Sequence, residues 1–362
     1  MKVLHLSSEA SWRGGEQQMA YLLHGLKIAG IESHLLCRPH SAFQRYCQLH
    51  HFPYQTLPFK NSLDWRSAMK LRAYQINNRF DLIHLHSSKS HGIAVLAAAL
   101  GLKGSLILSR RVDFELKDNF LSRWKYNHPQ IRKVICVSKA IEQMVKAKVK
   151  NPDIVTTIHS GIDLGKFSQE PTGYLRRTYH ISSHTKLVGN TSALADQKDY
   201  FTFIDVAEEL SKSKNDIHFF LIGSGPLEKE LRDYISKKQL NHRITMTGFL
   251  DNIEEVLPEL DVFLMTSKTE GLGTSILDAF AAHVPVVSTN AGGLGEMVKD
   301  EQTGLIADIG DVQKLSTHTL RLLNEPILRQ ELVSQAHAFV QQFDQRKMVQ
   351  QTLATYHEVL SA

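Results

Sequence analysis

Residues 268–273, KTEGLG, have the composition of a phosphate-binding loop. They follow residues 260–267, a short apolar run typical of a buried parallel strand, and precede an apolar helix that begins at Thr274. Gly271 and Gly273 allow a tight turn and a close approach of the backbone to a ligand. The free N–H groups and the positive dipole end of the helix suit a phosphate. The order strand, glycine loop, helix therefore predicts a holder for a phosphorylated ligand, although the same turn occurs without a ligand in many α/β proteins.

Two acidic residues accompany this loop. Glu270 lies within the loop, and Asp278 lies on the following helix. From these positions both side chains can reach the same site. Carboxylates accept hydrogen bonds from hydroxyl groups. A phosphate holder flanked by two carboxylates predicts a phosphorylated ligand that carries hydroxyls, such as a nucleotide sugar.

Histidines raise the question of a metal site. His84 and His86 alternate along a predicted strand and so face the same side. Metal ligation by this pair is the less favoured reading, and a hydrogen-bonding role at the end of the strand is favoured for His86. No other spacing in the chain is typical of metal ligands, so no metal site is predicted.

Length and composition indicate an ordinary globular protein. The chain has 362 residues, 42% hydrophobic and 22% charged, which predicts two domains or one large one. Its three cysteines, Cys37, Cys47 and Cys136, have neither metal-binding nor disulfide spacing, which favours a reducing cytoplasm. No segment has the pattern of a signal peptide or a membrane-spanning helix. The expected location is the cytoplasm, with a peripheral position on the inner face of the cytoplasmic membrane as a further option.

Charge is unevenly distributed along the chain. Residues 1–165 contain 23 Lys and Arg against 11 Asp and Glu, a net charge of +12, which leaves −7 for the remainder of a chain whose net charge is +5. A basic half suggests an anionic partner such as a membrane surface, or a solvated face with no partner. No stacking platform or recognition motif accompanies the charge, so nucleic-acid binding is not expected.

The elements that would position these residues alternate between strand and helix. The alternation pauses at residues 167–178, which contain Pro171 and Gly173 and are interpreted as a linker, and then resumes. This pattern predicts an α/β protein with two doubly wound parallel sheets in series and a cleft between them. Ligands of such sheets bind at the carboxyl ends of the strands.

Several short motifs follow one another in an order that resembles the bacterial GT-B glycosyltransferases of family 4, and the resemblance covers nearly the whole chain. They are GGE (14–16), HSGID (159–163), QKD (197–199), IGSGPL (222–227), TGF (247–249), EGLGTSILDA (270–279) and AGGLGEM (291–297).

The resemblance implies two Rossmann-like domains that face each other across a cleft. The N-terminal, acceptor-binding domain would comprise residues 1–168 and a returning helix at about 343–362, and the nucleotide-sugar-binding domain residues 169–342. The implied reaction is a retaining, metal-independent transfer that needs no cofactor, from a UDP- or GDP-linked sugar to a glycan or lipid-linked acceptor. The implied role is bacterial surface polysaccharide synthesis, such as lipopolysaccharide or capsule. The alternatives are a nucleotide-sugar epimerase or hydrolase, and a non-catalytic scaffold or binding protein.

The resemblance also assigns donor-site roles. Glu270 would hold hydroxyls of the donor sugar, Lys198 would contact the diphosphate, and Asp278, where the family usually has Glu, would bind the ribose. The family commonly has an Arg about five residues before the Lys, where this chain has Ala193. Amides, Arg176 or Arg177 could replace that cation, or nothing replaces it, in which case activity would be impaired. The remaining predicted donor residues are Gly14, Gly15, Gly223, Phe249 and the loop Gly271, Leu272, Gly273 and Thr274.

The acceptor side departs from the family. Many members have a His just after the fifth strand, where this chain reads Ser109-Arg110-Arg111-Val112-Asp113. Arg110, Arg111 and Asp113 at that strand end are predicted to hold an anionic acceptor and orient its attacking hydroxyl, with His86 beside them. An ion pair at the end of a strand is the structural alternative.

Overall fold

The computed structural model of this protein describes residues 1–114, 116, 119–167, 171–212 and 216–361. Contacts divide the chain into unit 1, Met1–Gly161 with Gln345–Ala362, and unit 2, Ile162–Asp344. The chain therefore leaves unit 1 after Gly161 and re-enters it at Gln345. The predicted boundary between residues 168 and 169 lies outside the described residues.

Unit 1 is built on a parallel sheet of seven strands in the order β3-β2-β1-β4-β5-β6-β7. The strands are β1 (Lys2–Leu6), β2 (Glu32–Cys37), β3 (Tyr54–Thr56), β4 (Leu82–Leu85), β5 (Ser105–Arg110), β6 (Ile131–Cys136) and β7 (Val155–Thr157). The helices of the first segment are α1 (Gly14–Ile28), α2 (Ala42–Leu49), α3 (Trp65–Asn78), α4 (Ser88–Ala99), α5 (Phe120–Tyr126) and α6 (Lys139–Lys146).

Unit 2 is built on a parallel sheet of six strands in the order β10-β9-β8-β11-β12-β13. The strands are β8 (Lys186–Thr191), β9 (Ile217–Ile222), β10 (Ile244–Gly248), β11 (Val262–Met265), β12 (Val286–Thr289) and β13 (Leu305–Ala307). Its helices are α7 (Tyr174–Thr178), α8 (Tyr200–Ser211), α9 (Glu228–Lys237), α10 (Ile253–Val256), α11 (Thr274–Ala281), α12 (Leu294–Met297), α13 (Val312–Asn324) and α14 (Pro326–Val340). The last helix of the chain, α15 (Gln345–Ser361), belongs to unit 1.

The strand sequences explain why both sheets are parallel. Every residue of β9, IHFFLI, is buried, and so is every residue of β11 and β12. A continuous apolar strand is stable only where helices cover both faces of its sheet, as βαβ crossovers do. In unit 2 the sheet packs against α8, α9 and α13 in one apolar cluster that includes Val188, Phe203 and Leu315.

The strand order reverses beside the first strand of each unit. β1 lies between β2 and β4, and β8 lies between β9 and β11. Ligands of open parallel sheets bind at such reversal points, beyond the carboxyl ends of the strands. The residues after β1 and β4 in unit 1, and after β8 and β11 in unit 2, are therefore the expected positions of a site.

Helices α2 and α7 are both short and are capped in different ways. The N-cap residue of α2 is Ser41, whose side chain accepts a hydrogen bond from Gln44 N at 3.1 Å. Helix α7 lies in the stretch interpreted as a linker, and that interpretation is wrong for residues 174–178. The carboxylate of Glu259 accepts hydrogen bonds from the first amides of α7, Leu175 N at 3.1 Å and Arg176 N at 3.4 Å. A cap supplied from 84 residues away leaves no local signal in the sequence.

None of the helices in the described ranges is both long and apolar enough to cross a membrane.

Candidate active site

The loop after β11 is held from both sides in unit 2. Thr289 Oγ1 donates to Ser267 O at 2.7 Å, and Gly293 N donates to Glu270 O at 2.9 Å. Gly273 has φ +85°, and a Cβ there would lie 2.4 Å from Leu294 Cδ2, so only glycine fits without displacing a neighbour. Gly273 is the N-cap residue of α11 and has no side chain with which to cap the helix. A helix that begins at such a glycine turn can bind an anion with its first amides, and donor binding by Gly271, Leu272, Gly273 and Thr274 stays a prediction.

Lys198 and Glu270 meet at the reversal point of this sheet. They form an ion pair in which the two side chains are 14% and 15% exposed, and Ser267 Oγ lies 3.4 Å from the same carboxylate. Lys198 ends the short 3₁₀ turn Asp196–Lys198 that follows β8. Thr266 Oγ1 donates to Lys198 O at 3.2 Å and to Asp199 O at 3.0 Å, which ties the turn to the end of β11. The two residues that the sequence pairs only by family role are therefore in direct contact.

Asp278 lies on the first turns of α11 and is partly buried. Burial raises the pKa of Asp278 from 3.8 to about 7, against the opposing effect of Lys166. No hydrogen-bond partner of this carboxyl group is found in the described part of the chain. A carboxyl group that loses solvent without gaining partners is poised to accept hydrogen bonds from a ligand, such as those of a ribose.

Two further predicted donor residues lie at the ends of β9 and β10. Gly223 has φ +144°, and a Cβ there would lie 2.1 Å from Ser192 O, so this turn packs directly on the turn after β8. Gly223 N donates to Gly248 O at 2.9 Å, which joins the two strand ends. The ring of Phe249 follows at once and is 69% exposed, which leaves an aromatic face for a flat ligand group.

The suggestion that Arg176 or Arg177 replaces the missing cation near Ala193 is not supported. Arg176 donates to Ser182 O at 2.6 Å and lies 3.9 Å from Asp261, which precedes β11. That position is at the amino end of the strand, opposite to the loop. Arg177 donates to the nearby Thr172 O. Both guanidinium groups therefore form their contacts around α7, away from the loop after β11.

In unit 1, Gly14 and Gly15 are the first two residues of α1 and not a turn before it. Arg111 lies against them, with Nη1 3.4 Å from Gly15 O. Burial lowers the pKa of Arg111 to about 10, against the attraction of Glu16. Burial likewise raises the pKa of Glu16, which accepts a hydrogen bond from Ser7 Oγ at 3.4 Å. A buried carboxyl group in the first turn of α1 thus shares this space with the guanidinium group.

His86 is one of three buried histidines behind Arg111. The ring nitrogens of His5, His84 and His86 lie within 4.8 Å of one another, a spacing at which three residues can hold a metal ion. Burial lowers the pKa of all three, that of His5 to about 3, so the rings are neutral at pH 7. His5 was missed in the sequence because it lies alone on β1, and only the pairing of β1 with β4 brings it to the other two.

Hydrogen bonds occupy most of these ring nitrogens. Arg111 Nη2 donates to His86 Nδ1 at 3.3 Å, so His86 Nε2 carries the proton and donates to His5 Nδ1 at 3.0 Å. His84 contacts Tyr356 Oη at 2.6 Å and Ser109 Oγ at 2.8 Å. A metal ion would have to displace these bonds beside the charge of Arg111. The cluster is better described as a hydrogen-bonded support for Arg111.

The predicted acceptor residues do not gather at one point. Arg110 is the last residue of β5, and Arg111 follows it directly. Arg110 donates to Tyr126 Oη at 2.9 Å and to Phe114 O, towards α5, whereas Arg111 contacts Gly15 and His86. Asp113 is partly buried in the segment after them. The two arginines thus contact different parts of unit 1, and the acceptor role of Arg110, Arg111 and Asp113 stays a prediction.

Comparison with known protein families gives a match in each half of the chain. Residues 12–166 match the family described as Glycosyltransferase Family 4, and residues 175–339 match Glycosyl transferases group 1. A glycosyltransferase of Methanocaldococcus jannaschii is 29% identical over 301 residues, 80% of each chain. The UDP-Gal:alpha-D-GlcNAc-diphosphoundecaprenol alpha-1,3-galactosyltransferase of Escherichia coli is 24% identical over 73% of this chain and 72% of its own.

A solved structure shares the architecture. The crystal structure of Anabaena HepE in complex with UDP-glucose matches with a TM-score of 0.88 and 20% identity, covering 99% of this chain and 100% of that one. At this identity the match concerns the fold.

Proposed function

Because the chain belongs to the group 1 glycosyltransferases of family 4, with the GT-B fold and nucleotide-sugar donors, we propose that it is a retaining and metal-independent enzyme of surface glycan synthesis. Unit 2 would bind a UDP- or GDP-linked sugar, and unit 1 a glycan or glycolipid acceptor. The product would be a bacterial surface polysaccharide such as lipopolysaccharide or capsule. The observation that carries the proposal is the Lys198–Glu270 pair beside the glycine turn at the N-terminus of α11.

The donor would be held by groups of unit 2. The diphosphate accepts hydrogen bonds from the loop amides of Gly271–Thr274 and from Lys198, which turns from Glu270 to the phosphate oxygens. Glu270, released from Lys198, accepts hydrogen bonds from the donor sugar. Asp278 accepts them from the ribose, and Phe249 offers its ring to the base. Hydrogen-bond donors and cations placed where negative charge develops stabilise the leaving group and lower the activation barrier of the transfer.

The transfer proposed is a front-face substitution. The bond between the anomeric carbon and the diphosphate oxygen breaks, and the acceptor hydroxyl forms the new bond on the same face. A diphosphate oxygen takes the hydroxyl proton, so the nucleoside diphosphate leaves with it. Lys198 and the loop amides neutralise the departing charge, a role for which other enzymes use a divalent metal ion.

A location at the inner face of the membrane is part of the proposal. It is supported by the excess of basic residues in the first half of the chain, which attracts anionic lipid headgroups. The Escherichia coli relative has a name that specifies a diphosphoundecaprenol-linked sugar as acceptor, and a lipid-linked acceptor is proposed here by analogy.

A donor screen tests the proposal. UDP- and GDP-linked sugars are expected to raise the melting temperature, since a ligand at one hundred times its Kd adds about 2.7 kcal/mol to the stability of the native state. With the stabilising donor and an acceptor, NMR is expected to show the anomeric configuration of the donor retained, and EDTA is expected to leave the rate unchanged. Absence of any nucleotide-sugar binding would contradict the donor site, and an inverted product would contradict the front-face reaction. Rapid donor turnover without acceptor would indicate a hydrolase or epimerase.

A further inference from the structure

We propose that a pocket beside α5 in unit 1 binds the phosphate group of an amphiphilic acceptor, a phosphate or diphosphate ester of a long hydrocarbon chain. This inference rests on the proposed function and narrows its acceptor to one chemical class. The pocket has a volume of about 310 Å³, within the range of about 300–1,000 Å³ typical of small-molecule sites. Its polar wall is formed by Arg110, Lys125, Tyr126 and Ser122. We call it the α5 pocket.

Two cations, Arg110 and Lys125, line the α5 pocket close to each other. Arg110 and Lys125 both line it, and no acidic side chain in the described ranges forms an ion pair with either. Burial lowers the pKa of Lys125, and the neighbouring Arg110 lowers it further. Arg110 Nε is buried without a hydrogen-bond partner in the described structure. Two adjacent cations at a partly desolvated site are stabilised when an anion lies between them.

The polar groups around these cations suit a tetrahedral phosphate. Arg110 Nη1 donates to Tyr126 Oη at 2.9 Å, which fixes the guanidinium plane and leaves the phenol proton for another acceptor. Ser88, the first residue of the 12-residue helix α4, also lines the pocket, so the positive end of that helix dipole faces the same space. Ser122 adds a hydroxyl group from α5. These donors come from three different elements of unit 1 and converge on one cavity.

Apolar side chains also line the pocket, and exposed apolar side chains are close to them in the sequence. Leu63, Leu121 and Trp124 line the cavity. The segments that carry them also expose other large apolar side chains, with Phe120 80% exposed, Trp65 61% exposed and Phe114 57% exposed. Phe114 is joined to the pocket directly, because its carbonyl oxygen accepts a hydrogen bond from Arg110.

This combination favours a hydrocarbon ester over a free anion. Inorganic phosphate or a small dicarboxylate would use the cations and leave the exposed rings in water. A chain attached to the phosphate would cover the apolar wall and lead towards Phe114 and Phe120. The guanidinium group of Arg66 also lies over the ring of Trp65, 5.6 Å from its centroid, an aromatic and basic pairing suited to a membrane–water interface.

The test measures binding of farnesyl phosphate to the full-length chain, with farnesol and inorganic phosphate as separate arms and the fluorescence of Trp124 and the other tryptophans as the readout. Farnesyl phosphate is expected to bind more tightly than either part alone. Lys125→Gln is expected to weaken it on the order of tenfold, the effect of losing one charged hydrogen-bonding partner. The matched control is Lys103→Gln, which removes an exposed charge before β5, at the opposite end of the strand that Arg110 ends.

Further variants separate the two parts of the ligand. Phe120→Ser is expected to weaken farnesyl phosphate and leave inorganic phosphate unchanged. Ser122→Asp places a carboxylate in the pocket and is expected to weaken both, which provides a second probe if Lys125→Gln lowers the melting temperature. Equal affinity of wild type, Lys125→Gln and Ser122→Asp for farnesyl phosphate would overturn the inference, and so would binding of farnesol as tight as that of its phosphate.

A nucleotide-binding assay on the same proteins keeps the two proposals distinct. The stabilisation of unit 2 by UDP or GDP is expected to be the same in Lys125→Gln and wild type, because the α5 pocket lies in unit 1. Loss of nucleotide binding in every protein would reject the proposed donor site, whereas farnesyl phosphate binding would still report on the pocket.

Discussion

At the scale of single residues, the contact between Lys198 and Glu270 changes how the donor site is understood. Each of these residues is predicted to contact a ligand, but in the structure their charges pair with each other in a largely buried place. The carboxylate of Glu270 forms the ion pair with Lys198 that the diphosphate would form in the complex. The ion pair thus avoids the free-energy cost of burying either charge without a partner when no ligand is bound.

Glutamine substitution of each partner, singly and together, tests this contact. Lys198→Gln and Glu270→Gln are each expected to lower kcat by on the order of 10²–10³, as loss of a charge-stabilising donor does elsewhere. Each is also expected to destabilise the fold by about 1–3 kcal/mol, because the remaining charge loses its partner. The double variant should lose less stability than the two single losses added. Urea denaturation measures this, and strict additivity would mean that the pair contributes nothing in solution.

Asp278 provides a pH-dependent prediction. Its carboxyl group binds a proton more tightly in the folded protein, with a pKa of about 7, than in the unfolded chain, where the value is near 3.8. The folded state therefore holds the extra proton between these values, and stability falls as pH rises from about 4 to 7. A shift of about three units corresponds to about 4 kcal/mol as an upper limit.

Asp278→Asn removes this titration. The variant is expected to gain on the order of 1–3 kcal/mol over wild type at pH 8 and almost nothing at pH 4. It should also bind UDP or GDP more weakly at pH 8, because an ionised carboxylate accepts ribose hydrogen bonds better than an amide. Thermal melts across pH, with and without nucleotide, measure both effects. Equal stability differences at pH 4 and pH 8 would contradict the buried-acid explanation.

At the scale of elements, the loop before α11 depends on one glycine. Gly273 combines a φ of +85° with a neighbour, Leu294 Cδ2, in the space of its missing side chain. Gly310 has a similar φ of +78° with nothing within 4 Å of a Cβ. The two positions thus separate backbone strain from crowding in one protein.

Alanine at the two glycines gives the prediction. Gly310→Ala is expected to cost about 1 kcal/mol from backbone strain alone, and Gly273→Ala about 2–4 kcal/mol because Leu294 must also move. Only Gly273→Ala is expected to weaken nucleotide binding, because it displaces the loop amides. Equilibrium unfolding measures the loss of stability, and nucleotide titration measures the affinity. Equal effects of the two substitutions would show that the side chain of Leu294 moves aside at no cost in free energy.

Strand β5 shows how an element distributes neighbouring side chains. Arg110 and Arg111 were predicted to act together, but Arg110 is the last residue of β5 and Arg111 lies just after it. Arg111 contacts the start of α1, and Arg110 lines the α5 pocket.

At the scale of the whole molecule, the last helix is integrated into unit 1. Helix α15 packs on α1, where a Cβ at Gly25 would lie 2.5 Å from Val349 Cγ1. Its Tyr356 is fully buried and its hydroxyl group lies 2.6 Å from His84 Nδ1. A helix that follows all of unit 2 in sequence thus forms part of the core of unit 1 and touches the histidine cluster behind Arg111.

Tyr356→Phe removes the hydroxyl group and leaves a buried ring nitrogen unpaired. The expected loss is about 1–3 kcal/mol, expressed as faster hydrogen exchange in peptides from α15 and β4 with unchanged exchange in β8 and β11. Tyr179→Phe is the control, since that partly buried residue packs on Phe220 in unit 2 and its hydroxyl group has no hydrogen-bond partner in the described structure. Unchanged exchange in α15 would show that the His84 contact does not stabilise the helix.

The local chemistry and the periodicity of the sequence were sufficient to predict the fold class and the family of this protein. Alternating strands and helices predicted two parallel doubly wound sheets, and the order of the motifs identified the family. The loop at Glu270 could be recognised because strand, glycine turn and helix are contiguous, so a short stretch of sequence specifies the geometry of its amides. The roles of Glu270, Lys198 and Asp278 in catalysis and donor binding stay predictions.

Only the tertiary structure decided which distant side chains meet. The pairing of β1 with β4 brings His5 to His84 and His86, and Glu259 caps α7 from 84 residues away. Arg110 of β5 and Lys125 of α5 line the same pocket. Such contacts depend on strand order and register, which are set by the packing of the whole chain, and the sequence near each residue carries no record of them.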